Sequence, residues 1–224
     1  RFVAPEAPAL HFAADADFSY TLNPARVRDQ WHTMTRTGLS PRLGQHLPEP
    51  FLEIHPDDAD EAGVLNGEFV RVTTDLGQCI LKAVVTDRQQ KGMLFAPIHW
   101  SSETSSSARV GALVAPFTDP HSGQPESKAT PAAIESCSYA QRGFVISRTP
   151  LTLPPDVWWS RVAVTGGYGY LLASNMGTGE WQAWMSAVCD AGDVADYEDR
   201  GRHVYRAAAY ARDRVELCVF IGPS

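Results

Sequence analysis

The stretch Phe51–Trp100, FLEIHPDDADEAGVLNGEFVRVTTDLGQCILKAVVTDRQQKGMLFAPIHW, decides the fold. Short apolar runs alternate with turn signals at a spacing of roughly ten residues, the rhythm of strands in a small β-fold. Phe51–Ile54 reads as a brief strand. Pro56–Ala62 reads as a short helix, with proline at its opening and Asp57 and Asp58 in the first turn, where the peptide dipoles favour anions. Gly63 ends it. Asn66-Gly67 is a turn signal, and EFVRVTT follows, with Phe69 and Arg71 facing opposite to Val70 and Val72. Asp75-Leu76-Gly77 then turns the chain into QCILKAVVT, and DRQQKG turns it again into the apolar strand Met93–Trp100. This pattern predicts a barrel or a sandwich.

Serines 101, 102, 105, 106 and 107 form a polar loop, followed by the apolar run Val110–Val114 and the turn dipeptides Asp119-Pro120 and Ser122-Gly123. The serine loop reads either as a tether or as a binding loop. A second unit begins near Gln141. VWWSRVAV (157–164) is strand-like and Gly166-Gly167 breaks it. Trp181, Trp184, Met185 and Val188 recur at the spacing of an amphipathic helix, and His203–Ala211 with Val215–Ile221 flank a hairpin turn at Asp213-Arg214. The division is a Pro- and Ala-rich lead-in over 1–18, a β-barrel over 19–140 and a small α+β module over 141–224, whose tryptophans Trp158, Trp159, Trp181 and Trp184 read as packing residues.

The 224 residues carry 44% hydrophobic and 20% charged side chains, which excludes disorder and fibrous repeats. No apolar run approaches the ~18 residues of a membrane span. The start, RFVAPEAPALHF, lacks the build of a signal peptide and reads as a cut from a longer polypeptide. Net charge is -7, which argues against a nucleic-acid protein that binds by bulk attraction. Cys79, Cys137, Cys189 and Cys218 lie far apart, as reduced thiols of a cytoplasmic protein do. Neither that spacing nor His32, His46, His55 and His99 matches a local metal motif, and neither a Walker loop nor G-x-G-x-x-G is present. Asp75-Leu76-Gly77 is a poor match to the aspartic-protease triplet and has no second copy.

Charge is unevenly placed. Thr21–His46 holds Arg26, Arg28, Arg36 and Arg42 against Asp29 alone, whereas Pro48–Glu68 holds seven carboxylates and neither Lys nor Arg. Within the first stretch, TLNPARVRDQWHTMTRTG (21–38) gathers arginines, threonines, Trp31 and His32 with few aliphatic groups to bury. Guanidinium forks match phosphate, hydroxyls donate to it, and flat rings stack on a heterocycle. One reading is a site for a ligand with both phosphate and a ring; the plainer ones are surface pairs in which the arginines neutralise the acidic neighbour, and an exposed polar loop with incidental arginines.

From about Ser19 to Ile134 the sequence resembles the C-terminal molybdopterin-dinucleotide-binding domain of the dimethyl sulfoxide reductase family, and its assimilatory nitrate reductase branch in particular. The resemblance rests on LNPARVRDQWHTMTRTG, EIHPDDA with NGEFVRV, FAPIHW, and DPHSGQPESKATP, in that order. It departs from the family at Pro24-Ala25, where Thr-Gly is usual, and around Val110-Gly111, where many relatives carry Asn. The resemblance implies a six-stranded double-psi β-barrel over one side of a molybdenum bis(molybdopterin guanine dinucleotide) cofactor. It places Asn23 and Arg26 in the first turn against pterin or diphosphate, with Arg28 and Arg36 in support by charge-assisted hydrogen bonds. Trp31, His32, Thr33, Met34 and Thr35 would line the pterin edge, and His99 and Trp100 would end a strand facing the same cleft. Gln124, Pro125, Glu126 and Lys128 would return a late loop to it.

The resemblance also implies that the molybdenum's protein ligand and an iron–sulfur cluster lie in other domains of the parent enzyme. The segment alone would then be inactive, with electrons arriving from a ferredoxin or flavoprotein. The rival reading is a stand-alone double-psi barrel that binds a partner without cofactor; the polar cluster at 21–37 discriminates, because an adaptor has little use for it.

Overall fold

A computed structural model describes residues 9–31, 33–189 and 193–224. Six strands close into a barrel: β1 (Tyr20–Ala25), β2 (Phe51–Ile54), β3 (Phe69–Thr74), β4 (Gly77–Val85), β5 (Met93–Pro97) and β6 (Thr130–Cys137). Their order around the barrel is β1-β5-β2-β4-β3-β6, with β1/β5 and β2/β4 parallel and the other neighbours antiparallel. This is the double-psi barrel expected. The period of two fills its interior: Leu22, Leu52, Ile54, Val70, Val72, Leu81 and Leu94 are wholly enclosed, each stabilising the barrel by about 1.5–3 kcal/mol through lost water contact. Between β2 and β3 the short helix forms as predicted, Pro56–Glu61, and Gly63 leaves it at φ +63°, a conformation that favours glycine. β5 stops at Pro97, three residues before the strand end expected at Trp100. Val110–Leu113, read as an apolar run, is a 3-10 turn.

The second unit is an antiparallel sheet of β7 (Gln141–Ser147), β8 (Trp158–Val164), β9 (Gly167–Ser174), β10 (Asp193–Asp199), β11 (Val204–Ala211) and β12 (Arg214–Pro223), in the order β10-β11-β12-β7-β9-β8. One helix, Thr178–Val188, lays Trp181 and Met185 onto Tyr205, Leu217, Val219 and Ile221. The buried Trp181 indole donates to Gln141 Oε1 at 3.2 Å. The hairpin turn falls one residue earlier than expected: Arg212 and Asp213 both take positive φ (51° and 61°), the conformation that joins twisted strands tightly.

The two units share a packed seam. Phe69 points out of the barrel, yet is only 2% exposed. It meets Trp158 and Tyr139 edge-on at 4.6 and 5.0 Å between ring centroids, and the Arg142 guanidinium lies 5.1 Å over its ring. Arg142 also donates to Glu68 Oε2 at 2.8 Å and Gly67 O at 3.2 Å, and the Trp158 indole donates to Ile80 O at 3.0 Å. The serine loop, expected to be a tether or a binding loop, closes this seam instead. Ser106 N–H donates to Trp159 O at 3.0 Å and Arg161 N–H to Thr104 O at 2.8 Å, so the loop extends the sheet along the open edge of β8. Unpaired edge amides attract partners, and here the chain supplies its own.

Candidate functional site

The polar stretch at 21–38 begins on a strand. In β1, Leu22 and Pro24 point into the barrel and Asn23 points out, so Asn23 belongs to a strand and not to the turn expected for it. Its Oδ1 accepts from Ala129 N–H at 3.3 Å, and Ala129 holds φ +64°. That bond fixes the end of the late loop against β1. Arg26 follows the strand end and is exposed.

Next to it lies His99, 2% exposed, whose Nε2 accepts from Val27 N–H at 3.0 Å. Burial, reinforced by the positive charge of Arg26, holds the imidazole below its ordinary pKa of 6.5. A neutral ring is what accepting at Nε2 requires. Ile98 N–H donates to Ala25 O at 3.0 Å, so the parallel ends of β1 and β5 leave the barrel together and aim Arg26 outward. Trp100 is different: 2% exposed, it lies in the barrel core and its indole donates to Ser160 Oγ across the seam at 3.2 Å. It holds the two units together and presents no surface.

Arg28 is committed to a neighbour. It donates to both carboxylate oxygens of Asp29, at 3.0 and 3.2 Å, and His46 reaches the same carboxylate at 2.7 Å. The hydrogen bond from Arg28 first, then that from His46, holds the Asp29 carboxyl below its ordinary range. Trp31 is half exposed; His32 lies outside the described residues. Thr33 and Met34 then take φ of 52° and 63°, two successive left-handed residues that are not glycine. Each costs roughly 1–2 kcal/mol, and such conformations persist where surrounding structure enforces them, commonly at ligand sites. The enforcing contacts are Gly38 N–H to Met34 O at 2.8 Å and the buried hydrogen bond from the Thr37 hydroxyl to Gln30 Oε1. Thr35 and Arg36 are exposed.

Thr33, Met34 and Thr35 line a cleft of about 210 Å³ whose far wall comes from Glu103, Thr104 and Arg161. The late loop does not line it, so the single concavity expected from the sequence is not formed. Gln124, Pro125 and Lys128 are exposed on a turn built around Asp119, while Glu126 accepts from the His11 main chain and pairs with its ring. Those His11 hydrogen bonds hold the Glu126 carboxyl below its ordinary range. Asn23 therefore meets the loop through Ala129, Arg26 meets His99, and Thr33–Thr35 share a cleft; these three groups follow one another along the same chain segment. Sequence reasoning missed Gln30 and Arg161. A lone arginine inside the apolar run VWWSRVAV was the available signal for the second.

The arginines of this stretch do not neutralise the acidic neighbour. The acidic stretch is met by cations from elsewhere: Glu49 by Lys82, Glu53 by Arg88, Asp57 and Glu61 by Lys91, and Glu68 by Arg142. Among the described residues, Arg26, Arg36 and Arg42 form no ion pair.

Residues 20–131 match the family described as Molydopterin dinucleotide binding domain. The chain belongs to that family, as the C-terminal domain of the dimethyl sulfoxide reductase group of molybdopterin oxidoreductases. Over 200 residues, 86% of its length, the domain is 41% identical to a nitrate reductase of Klebsiella oxytoca, and spans 23% of that protein. It is 34% identical over 122 residues (54% of its length, 17% of the relative) to the F420-dependent formate dehydrogenase 1 subunit alpha of Methanococcus maripaludis. It is also 34% identical over 120 residues (54% and 15%) to a periplasmic nitrate reductase of Desulfovibrio desulfuricans. The chain thus spans under a quarter of these relatives.

The residues fit a phosphorylated pterin on structural grounds. Unpaired guanidiniums suit its phosphates, and the hydroxyls of Thr33 and Thr35 and the exposed face of Trp31 suit its ring. Among the described residues no cluster of three or more His, Cys, Asp or Glu is placed to hold a metal ion. No helix there is long and apolar enough to cross a membrane.

Proposed function

We propose that the chain is the cofactor-binding C-terminal domain of a cytoplasmic, molybdenum-dependent nitrate reductase that serves nitrate assimilation. It holds part of a bis(molybdopterin guanine dinucleotide) cofactor and is inactive alone; the molybdenum's protein ligand and an iron–sulfur cluster belong to the preceding domains. The observation that carries this reading is the pair of exposed guanidiniums, Arg26 and Arg36, that meet no carboxylate among the described residues in a protein of net charge -7. Unpaired cations beside a strained left-handed segment are what a polyphosphate ligand needs and an adaptor does not. Nitrate is favoured over formate as the substrate because the resemblance to the Klebsiella oxytoca nitrate reductase runs through 86% of the chain and the formate dehydrogenase match covers 54%.

When bound, the cofactor supplies two-electron oxygen-atom transfer, in which nitrate, two protons and two electrons give nitrite and water. Electrons reach it from a ferredoxin or flavoprotein. This chain's residues bind and orient. Arg26 and Arg36 donate to phosphates, Trp31 and Met34 cover a ring face, and neutral His99 holds the Val27 amide so that Arg26 leaves the barrel at a fixed angle.

The test uses the intact polypeptide. Arg26→Ala with Arg36→Ala should lower molybdenum and guanine nucleotide per chain and nitrate turnover in proportion, whereas Arg206→Ala, on the distant β11, should change neither. Undiminished cofactor content in the double variant refutes the reading. Turnover of formate but not nitrate refutes the substrate.

A further inference from the structure

We infer that Arg161, on edge strand β8 of the second unit, completes the cofactor cleft by donating to a phosphate of the dinucleotide. This rests on the proposed function and extends the site across the seam, beyond the 20–131 segment that defines the family. Arg161 shares one cleft with Thr33, Met34 and Thr35. Its main-chain N–H is fixed by Thr104 O at 2.8 Å, and its guanidinium lies 5.0 Å over the Tyr168 ring. The strand and the stem are thus held in place. The charge is not neutralised, because Arg161 forms no ion pair among the described residues, and Glu103, which lines the same cleft, is outside ion-pair distance. A guanidinium stacked on a ring keeps its in-plane donors open to an anion.

The size of the cleft agrees. About 210 Å³ is too small to enclose a whole dinucleotide, since sites that engulf a small ligand run roughly 300–1,000 Å³, but it admits one phosphate-bearing end. The serine loop carrying Thr104 then has a purpose. It holds β8 against the barrel, so Arg161 and the left-handed Thr33–Met34 segment line one cleft.

The experiment uses the intact holoenzyme with Arg161→Gln and, as a control on the cofactor reading itself, Arg26→Ala. Pterin released in sub-denaturing urea is followed by its fluorescence after oxidation, and guanine nucleotide per chain is counted. Arg161→Gln should release pterin roughly tenfold faster, the loss of one charge-assisted hydrogen bond, while the thermal midpoint of cofactor-free protein stays at the wild-type value. Wild-type release from Arg161→Gln with fast release from Arg26→Ala overturns the inference and leaves the domain's function standing. Wild-type release from both overturns the two together. A thermal midpoint lowered by Arg161→Gln as much in cofactor-free protein as in the holoenzyme assigns the residue a structural role and overturns the inference. Should Arg161→Gln fail to accumulate, phenylglyoxal footprinting of wild-type protein decides. Slower modification of Arg161 with cofactor present supports the assignment, and equal rates with and without cofactor reject it.

Discussion

Phe69→Ala should part the two units at their seam while leaving the barrel closed. The side chain projects from the outer face of β3, so its removal leaves the barrel interior untouched, yet it is 2% exposed because Trp158, Tyr139 and Arg142 enclose it. Burial of this kind is worth about 3–5 kcal/mol on truncation to alanine, and two edge-on ring pairs of about 0.5–1.5 kcal/mol each account for part of that sum. The change also strips the ring from beneath the Arg142 guanidinium, whose Nε already has no hydrogen-bond partner. At 1.4 kcal/mol per decade, opening of the seam becomes about a hundredfold to a few thousandfold more frequent.

Native-state hydrogen exchange reads this directly. The amides of Ser106 and Arg161, which bond across the seam to Trp159 and Thr104, should lose protection by that factor. The amides of Val70 and Leu81, inside the barrel, should lose far less. Wild-type protection at Ser106 and Arg161 would refute the assignment of Phe69 as the anchor. Equal loss at all four would mean that the units unfold as one.

Three further outcomes follow from particular side chains. His99, held below its ordinary pKa of 6.5 by burial, should take up its proton at lower pH in the folded chain than in the unfolded one, which does so as pH falls through 6.5, so stability present above 6.5 declines below it. A titration followed by the ring nitrogen shifts checks this, and a midpoint at 6.5 or above contradicts it. Cys79, pushed up to about 12 by burial, should resist iodoacetamide at pH 8 in the native chain and react fully in urea, as mass spectrometry of the labelled peptide will show. Gly143→Ala should destabilise by roughly 1–3 kcal/mol or more, since an added Cβ would stand 2.1 Å from Phe220 O in the adjoining strand; an unchanged urea midpoint would disprove that crowding.

The barrel was legible in the primary structure because strand periodicity and turn chemistry are local. Val70 and Val72 alternate with Phe69 and Arg71, and Gly63 and Gly67 take the positive φ that their places in the chain imply. The amphipathic helix with Trp181 and Met185 was legible for the same reason. So was the nature of the polar stretch at 21–38, since arginines and threonines crowded together without aliphatic neighbours have little else to do than meet solvent or a ligand.

The rest was set by contacts between residues far apart in the chain. Phe69 reads as a surface residue until Trp158 covers it, 89 positions later, and the serine loop reads as free until β8 offers it an edge to pair with. Trp100 and Glu126 looked available to a cofactor, but Ser160 and His11 claim them. Which carboxylate an arginine meets depends on which strands lie side by side, and that order, β1-β5-β2-β4-β3-β6, is not the order of the sequence. Only the tertiary structure therefore decided that Lys82, Arg88, Lys91 and, from β7 of the second unit, Arg142 pair with the acidic stretch, while Arg26 and Arg36 form no ion pair among the described residues.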